Sequence, residues 1–205
     1  MLLSEEEYKK YESVLKEFIQ NNCIEYGKFP GKKEGTTYRW MFYLRRAMFD
    51  PDMLYCISEM MLYRIHQELN TWNFQVCGAE TAGTPLAASL PLMSKFYGNP
   101  VTGFVVRKEQ KKYGLRNWHE GIAYTEPPYV LVDDLCNSSE SLNRADIICK
   151  EMGLTSTNLA IVIVNKVNKE IHSEERFRTD MYLPKETKVI SLFDLNTFNL
   201  TGPSH

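Results

Sequence analysis

Three observations predict an α/β fold built on a parallel sheet flanked by helices. The run Tyr129-Val130-Leu131-Val132 carries no polar alternation, as expected of a strand buried on both faces, and it runs straight into two acids, Asp133 and Asp134. Val101 to Val106 and Leu159 to Val164 repeat that apolar, β-branched character. Helical patterns with start and stop signals separate these runs, and strands alternating with helices argue for parallel pairing. The 205 residues suit a single domain, 1–205, with a full core.

In chain order, Ser4 and Glu7 form a capping box, and Tyr8, Tyr11, Leu15, Phe18 and Ile19 then share one helical face that ends near Asn22. Glu25 to Tyr38 is rich in Gly, Lys and Thr and reads as loop, leading to a short strand from Arg39 to Leu44. Residues 23–49 lie outside the alternation and are expected to form a small hood lobe over the carboxyl end of the sheet. Asp50-Pro51 is an N-cap followed by Pro at the first helical position, opening a helix to about Leu69. Phe74 to Cys77 reads as strand, Gly78 to Gly83 as loop, and Thr84 to Tyr97 as a helix closed by Gly98. Arg107 to Gly121 is a polar, basic loop after the Val101 strand. Leu142 to Met152 is helical and stops at Gly153. Val189 to Leu192 is a late edge strand.

Composition excludes several classes of protein. The formal net charge is −2 and basic residues are scattered, so neither a nucleic-acid nor a membrane surface is expected. No apolar run approaches the roughly 20 residues of a membrane span. Met1 to Glu7 lacks a signal-peptide pattern. The five cysteines show no CxxC spacing, and the four histidines are far apart. A cytoplasmic protein with reduced thiols is expected.

Four constellations bear on chemistry. In an open parallel sheet, ligands bind where loops leave the carboxyl ends of strands. Asp133 and Asp134 stand there, before Asn137-Ser138-Ser139-Glu140-Ser141. Two carboxylates can hold sugar hydroxyls or water around Mg²⁺, and the loop and helix start behind them can offer N–H groups to an anion. A buried strand ending in a helix-capping Asp-Asp turn satisfies the same residues. The loop Gly78-Ala79-Glu80-Thr81-Ala82-Gly83 is either an ordinary tight βα turn or a cradle for pyrophosphate, its glycines allowing positive φ or close approach. Arg107, Lys108, Lys111 and Lys112 leave a strand end together, with Gly114 as hinge. They form either a solvated charged loop or a mobile one that neutralises developing charge. Lys33, Trp40 and Phe42 lie in the hood segment, where aromatics either stack on a base or pack the lobe.

Taken together and in order, these motifs resemble the type I phosphoribosyltransferases, and within them the orotate phosphoribosyltransferases. The run from Tyr129 to Ser141 resembles the motif that binds 5-phosphoribosyl 1-pyrophosphate (PRPP). Gly78 to Ala87 is similar to the pyrophosphate loop, and Arg107-Lys108-Glu109 with Lys111, Gly114 and Glu120-Gly121 to the catalytic loop. Leu44-Arg45-Arg46-Ala47 with Asp50-Pro51 is similar to the segment that opens the family's core, so the match spans roughly residues 25–152.

The resemblance implies a PRPP- and Mg²⁺-dependent transferase that joins ribose 5-phosphate to a nucleobase and releases pyrophosphate. Lys111 would be the mobile catalytic lysine, and Arg107 and Lys108 would bind pyrophosphate across a homodimer interface, carried on the loop Arg107–Gly114. Asp133 and Asp134 would hold the ribose hydroxyls and organise Mg²⁺, directly or through water. Residues 78–83 and 137–141 would bind PRPP, and Lys33, Trp40 and Phe42 the base, with orotate as default.

The chain departs from the family pattern at several points. Ala82 stands where a Lys is usual, Tyr113 where a His is usual, and Ser139 and Glu140 where Gly and Thr are usual. Glu34-Gly35 and Tyr43-Leu44-Arg45 replace the family's Ser-Gly and Asp-Leu-Arg. Glu140 can face the phosphate cradle or turn back on Asn137 as a capping box, and the second geometry is expected. The altered loop leaves room for an alternative, a non-catalytic relative that binds a ribose-containing ligand.

Overall fold

The computed structural model describes residues 3–30, 37–110, 117–166 and 183–201. Helix α1 (Glu5–Asn22) starts with the predicted capping box: Glu7 N donates to Ser4 Oγ at 3.2 Å and Ser4 N donates to Glu7 Oε2 at 2.9 Å. A two-stranded antiparallel ribbon follows, β1 (Ile24–Pro30) and β2 (Thr37–Phe42). Helix α2 (Arg45–Met48) is a single turn. Helix α3 (Pro51–Leu69) is opened by Asp50, whose Oδ1 accepts from the N–H groups of Asp52 and Met53, and is closed by Asn70 at φ 50°. Then come β3 (Gln75–Ala79), α4 (Gly83–Phe96), β4 (Thr102–Val106), β5 (His119–Gly121), β6 (Tyr129–Cys136), α5 (Glu140–Glu151), β7 (Ser156–Asn165) and β8 (Lys188–Asp194).

The main sheet runs β5-β4-β3-β6-β7-β8, parallel throughout except for β5, which pairs antiparallel at one edge. This confirms the predicted class. Strand alternation divides the core between the two faces. Val76, Val130, Val132, Ile161 and Ile163 pack with α1 to α4, whereas Cys77, Leu131 and Val162 pack with Leu142, Ala145 and Cys149 of α5.

Several sequence expectations are corrected. Glu25 to Tyr38, read as loop, contributes most of β1 and the start of β2, and the strand expected at Arg39–Leu44 is displaced to Thr37–Phe42. Most of the ribbon's residues are exposed or half-buried, so no apolar alternation marks it, and a register irregularity between Tyr26 and Phe29 breaks its period. The polar loop from Arg107 ends in a strand, β5, too short to show a pattern. Strand β6 extends past the apolar run to Cys136, because the ladder with β7 continues through Asp133–Val162 and Leu135–Val164. The acids therefore lie within the strand. Helix α5 is capped at Ser139, in left-handed backbone at φ 56°, and no side chain caps it. This replaces the capping box expected between Asn137 and Glu140: Glu140 is the first helical residue. Among the described residues, no helix is long and apolar enough to cross a membrane.

Candidate active site

The carboxyl ends of β3, β4, β6 and β7 open on the same edge of the sheet, because these strands are parallel. Asp133 is 4% exposed. Ser141 Oγ donates to its Oδ2 at 2.7 Å, and Asp134 N donates to its Oδ1 at 2.9 Å. Burial, reinforced by the neighbouring Asp134 carboxylate, pushes its pKa from 3.8 to about 7. Asp134 is half-buried and is raised by burial too, while hydrogen bonding with Asp133 and then the Arg45 guanidinium pull it back part of the way. Two carboxylates are thus held together at a cost in desolvation, with both oxygens of Asp133 pinned by neutral donors.

The loop behind them is partly turned inward. Ser139 is buried, with its Oγ 3.1 Å from Cys136 Sγ, and the Ser141 hydroxyl is engaged by Asp133. Asn137 and Glu140 are exposed and Ser138 is half-buried, at the start of α5.

The turn from β3 to α4 folds back on β6. A Cβ on Gly78 would sit 2.5 Å from Gly83 O, and one on Gly83 would sit 2.7 Å from Val132 O. The two glycines are thus required for close backbone approach, with φ outside the positive region. That approach sets Ala79 to Ala82 beside the strand that carries the acids. Glu80 links this loop to the cationic one: Lys108 N donates to Glu80 Oε2 at 2.8 Å, and Glu80 N donates to Val106 O at 2.9 Å. Arg107 is paired with Glu120 on β5 at 2.6 Å. Lys33, Lys111, Tyr113 and Gly114 lie outside the described residues.

The hood contributes unevenly. Phe42 packs edge-on to Phe198, centroids 5.4 Å apart, which gives it a place in the lobe's packing. Trp40 instead lies under the Lys166 ammonium, 4.6 Å from its ring centroid, and Tyr38 is 5.7 Å from the same nitrogen. Lys166 was missed by sequence reasoning. It follows directly on β7, and its N–H donates to Cys136 O at 2.8 Å, beside the 137–141 loop. Burial lowers its pKa, and it has no ion-pair partner among the described residues. Its position after a parallel strand was the available signal, the same one that singled out Asp133.

Mg²⁺ suits this donor set in one respect. It takes oxygen ligands and commonly uses one or two carboxylates plus substrate phosphates. The described residues contain no group of three or more His, Cys, Asp or Glu side chains able to hold a metal, and Asp133 and Asp134 supply the two carboxylates that this mode of binding uses.

No family model matches the chain. It is 30% identical over 130 residues to the orotate phosphoribosyltransferase of Aquifex aeolicus, covering 63% of this chain and 69% of that protein. It is 25% identical over 170 residues to that of Pyrococcus furiosus, covering 82% and 88%. Among solved structures, orotate phosphoribosyltransferase of Mycobacterium tuberculosis in complex with Fe(III) dicitrate superposes with a TM-score of 0.69 at 19% identity, covering 91% of this chain and 98% of that one. That of Aeropyrum pernix gives 0.62 at 23%, covering 90% and 94%. The sheet order, the acids on its central strand and these likenesses converge: the chain belongs to the orotate phosphoribosyltransferase family, with the type I phosphoribosyltransferase fold.

Proposed function

We propose that this protein transfers ribose 5-phosphate from PRPP to a nucleobase carrying an anionic group, orotate or a close relative, and releases pyrophosphate. The observation that carries the reading is the Asp133–Asp134 pair on β6, flanked by the β3–α4 turn, locked by Gly78 and Gly83, and by the segment 137–141 that leads into α5. A ring nitrogen of the base, its proton released to water, forms the bond to ribose C1 as the C1–O bond breaks, and that bond's electron pair leaves with pyrophosphate. Positive charge develops on the ribose and negative charge on the leaving group, so preorganised cations accelerate the step. Arg107 and Lys108 stand at the root of the loop that would supply them, with Lys111 as the mobile catalytic cation. Asp134, with Asp133 behind it, would hold ribose hydroxyls and Mg²⁺ through water. Bound there, the ion would neutralise pyrophosphate oxygens. The Lys166 ammonium over Trp40 supports an anionic base, because it offers a charge without a carboxylate of its own among the described residues.

A homodimer fits this chemistry. An apolar groove of about 630 Å³ lies between the start of α3 and α4, is rimmed by exposed Phe49 and Leu92, and includes Thr81 and Ala82 of the pyrophosphate turn. A second copy seated there would cover the face of the sheet edge that carries Thr81 and Ala82.

The inward-turned Ser139 and Ser141 favour a second reading, binding of a ribose ligand without transfer. Calorimetric titration with PRPP, with and without Mg²⁺, tests both. Mg²⁺-dependent binding that disappears in Asp133→Asn/Asp134→Asn is expected. Undiminished binding by the double variant removes the central site, and tighter binding of ribose ligands that lack the 5′-phosphate removes the transferase.

A further inference from the structure

A second cavity, of about 650 Å³, lies between α1, α3 and α4. It opens at the far end of α4: Phe96 on its rim is 13 residues from Gly83, or about 20 Å at 1.5 Å per residue, from the turn beside the acids. Tyr11, Tyr55 and Tyr97 contribute aromatic walls, with the Tyr11 and Tyr55 ring centroids 5.9 Å apart and edge-on. Tyr97 is held from behind by stacking on Trp72 at 5.7 Å. Between them stands the Glu59 carboxyl, on a residue only 4% exposed, which accepts a hydrogen bond from the Tyr97 hydroxyl. Glu7 completes the polar lining with its carboxylate committed to the Ser4 cap, and the described lining includes no Lys, Arg or His.

Each of these features selects the same charge. Aromatic faces attract cations through their quadrupoles, most strongly where water is excluded. A buried carboxyl strongly favours a partner cation over a neutral ligand. Glu59 has no ion-pair partner among the described residues. The volume lies within the range of small-molecule sites. The acceptors on offer, a carboxyl and tyrosine oxygens, call for N–H donors, which a quaternary ammonium lacks.

We propose that this cavity is a binding site for a protonated primary amine with a compact apolar body, its ammonium on Glu59 and its body against Tyr11, Tyr55 and Met93.

The test uses phenethylamine as probe and 2-phenylethanol as its neutral match, titrated into the full chain at pH 7.5 by calorimetry and ligand-observed NMR. Phenethylamine is expected to bind and the alcohol to bind at least about tenfold more weakly. Glu59→Gln keeps the shape and the bond to Tyr97, and should weaken the amine about tenfold while thermal unfolding stays cooperative. Tyr55→Leu, at a partly exposed wall, should weaken it about two- to fivefold, and it carries the test if Glu59→Gln does not fold. Equal binding of amine and alcohol, equal binding by parent and Glu59→Gln, or no amine binding up to about 10 mM overturns the site.

Discussion

Asp133→Asn is expected to stabilise the ligand-free protein at alkaline pH while destroying its binding of PRPP. The folded-state pKa of Asp133 is raised from 3.8 to about 7, so the folded protein holds a proton that the unfolded chain has released. Stability from this group is therefore fully present below about pH 4, falls as the pH rises toward 7, and stays lost above it. The shift corresponds to roughly 4 kcal/mol as an upper bound, shared with the adjacent Asp134. Asn removes that cost but has only one oxygen for the two donors now served, Ser141 Oγ and Asp134 N. Orphaning one donor costs about 1–3 kcal/mol. The net gain at pH 8 is about 1–2 kcal/mol, or roughly 3–6 °C in Tm for a domain of this size. Scanning calorimetry in EDTA at pH 8 and pH 5, with calorimetric titration of PRPP alongside, reads both effects. A variant less stable than the parent at pH 8, or a Tm difference that is the same at both pH values, refutes the assignment of strain to a buried charge.

Three further outcomes follow from the site. Glu140→Thr should tighten PRPP binding about tenfold: a carboxylate at the first turn of α5 opposes a 5′-phosphate by about 4 kcal/mol at 4 Å and an effective dielectric of 20, against up to about 2 kcal/mol of helix-end attraction. Unchanged affinity at equal stability removes the repulsion. Lys111→Ala should lower kcat at least about 100-fold with little change in PRPP affinity, and mixing it with an Asp133/Asp134 variant should restore part of the activity if the loop acts across a dimer; no recovery on demonstrated subunit exchange argues for action within one chain. Lys166→Gln should raise KM for a carboxylated base about tenfold or more and leave the uncarboxylated base nearly unaffected, measured by competing orotate against uracil; equal loss on both bases places Lys166 in the packing of Trp40 and Tyr38 alone.

What was legible in the sequence tracks burial. The strands around Val130 and Ile161 are covered on both faces, so their composition alone identified them. Ser4, Asp50, Gly98 and Gly153 act locally, and their cap or turn geometry is as expected. Strand β1 was illegible, and β2 legible only with displaced bounds, because the ribbon's side chains face solvent on most sides. Gly78 and Gly83 were recognisable as special, but only the fold shows that each answers to the other's backbone. Lys166 carried one signal, its position directly after a parallel strand, and no motif near it in sequence reinforced that. Its neighbours, Trp40 and Cys136, come from far along the chain.

The mutual contact of Gly78, Gly83 and Val132 has a consequence for how the protein adapts. With no room for even one methyl group, the turn after β3 and the strand bearing the acids share a single steric lock and shift only together. The spacing between that turn and the acids is therefore a fixed gauge of the scaffold. Variation in what the protein accepts falls to the parts outside that lock: the half-exposed hood ribbon, the first turn of α5, and the segment that leaves β4.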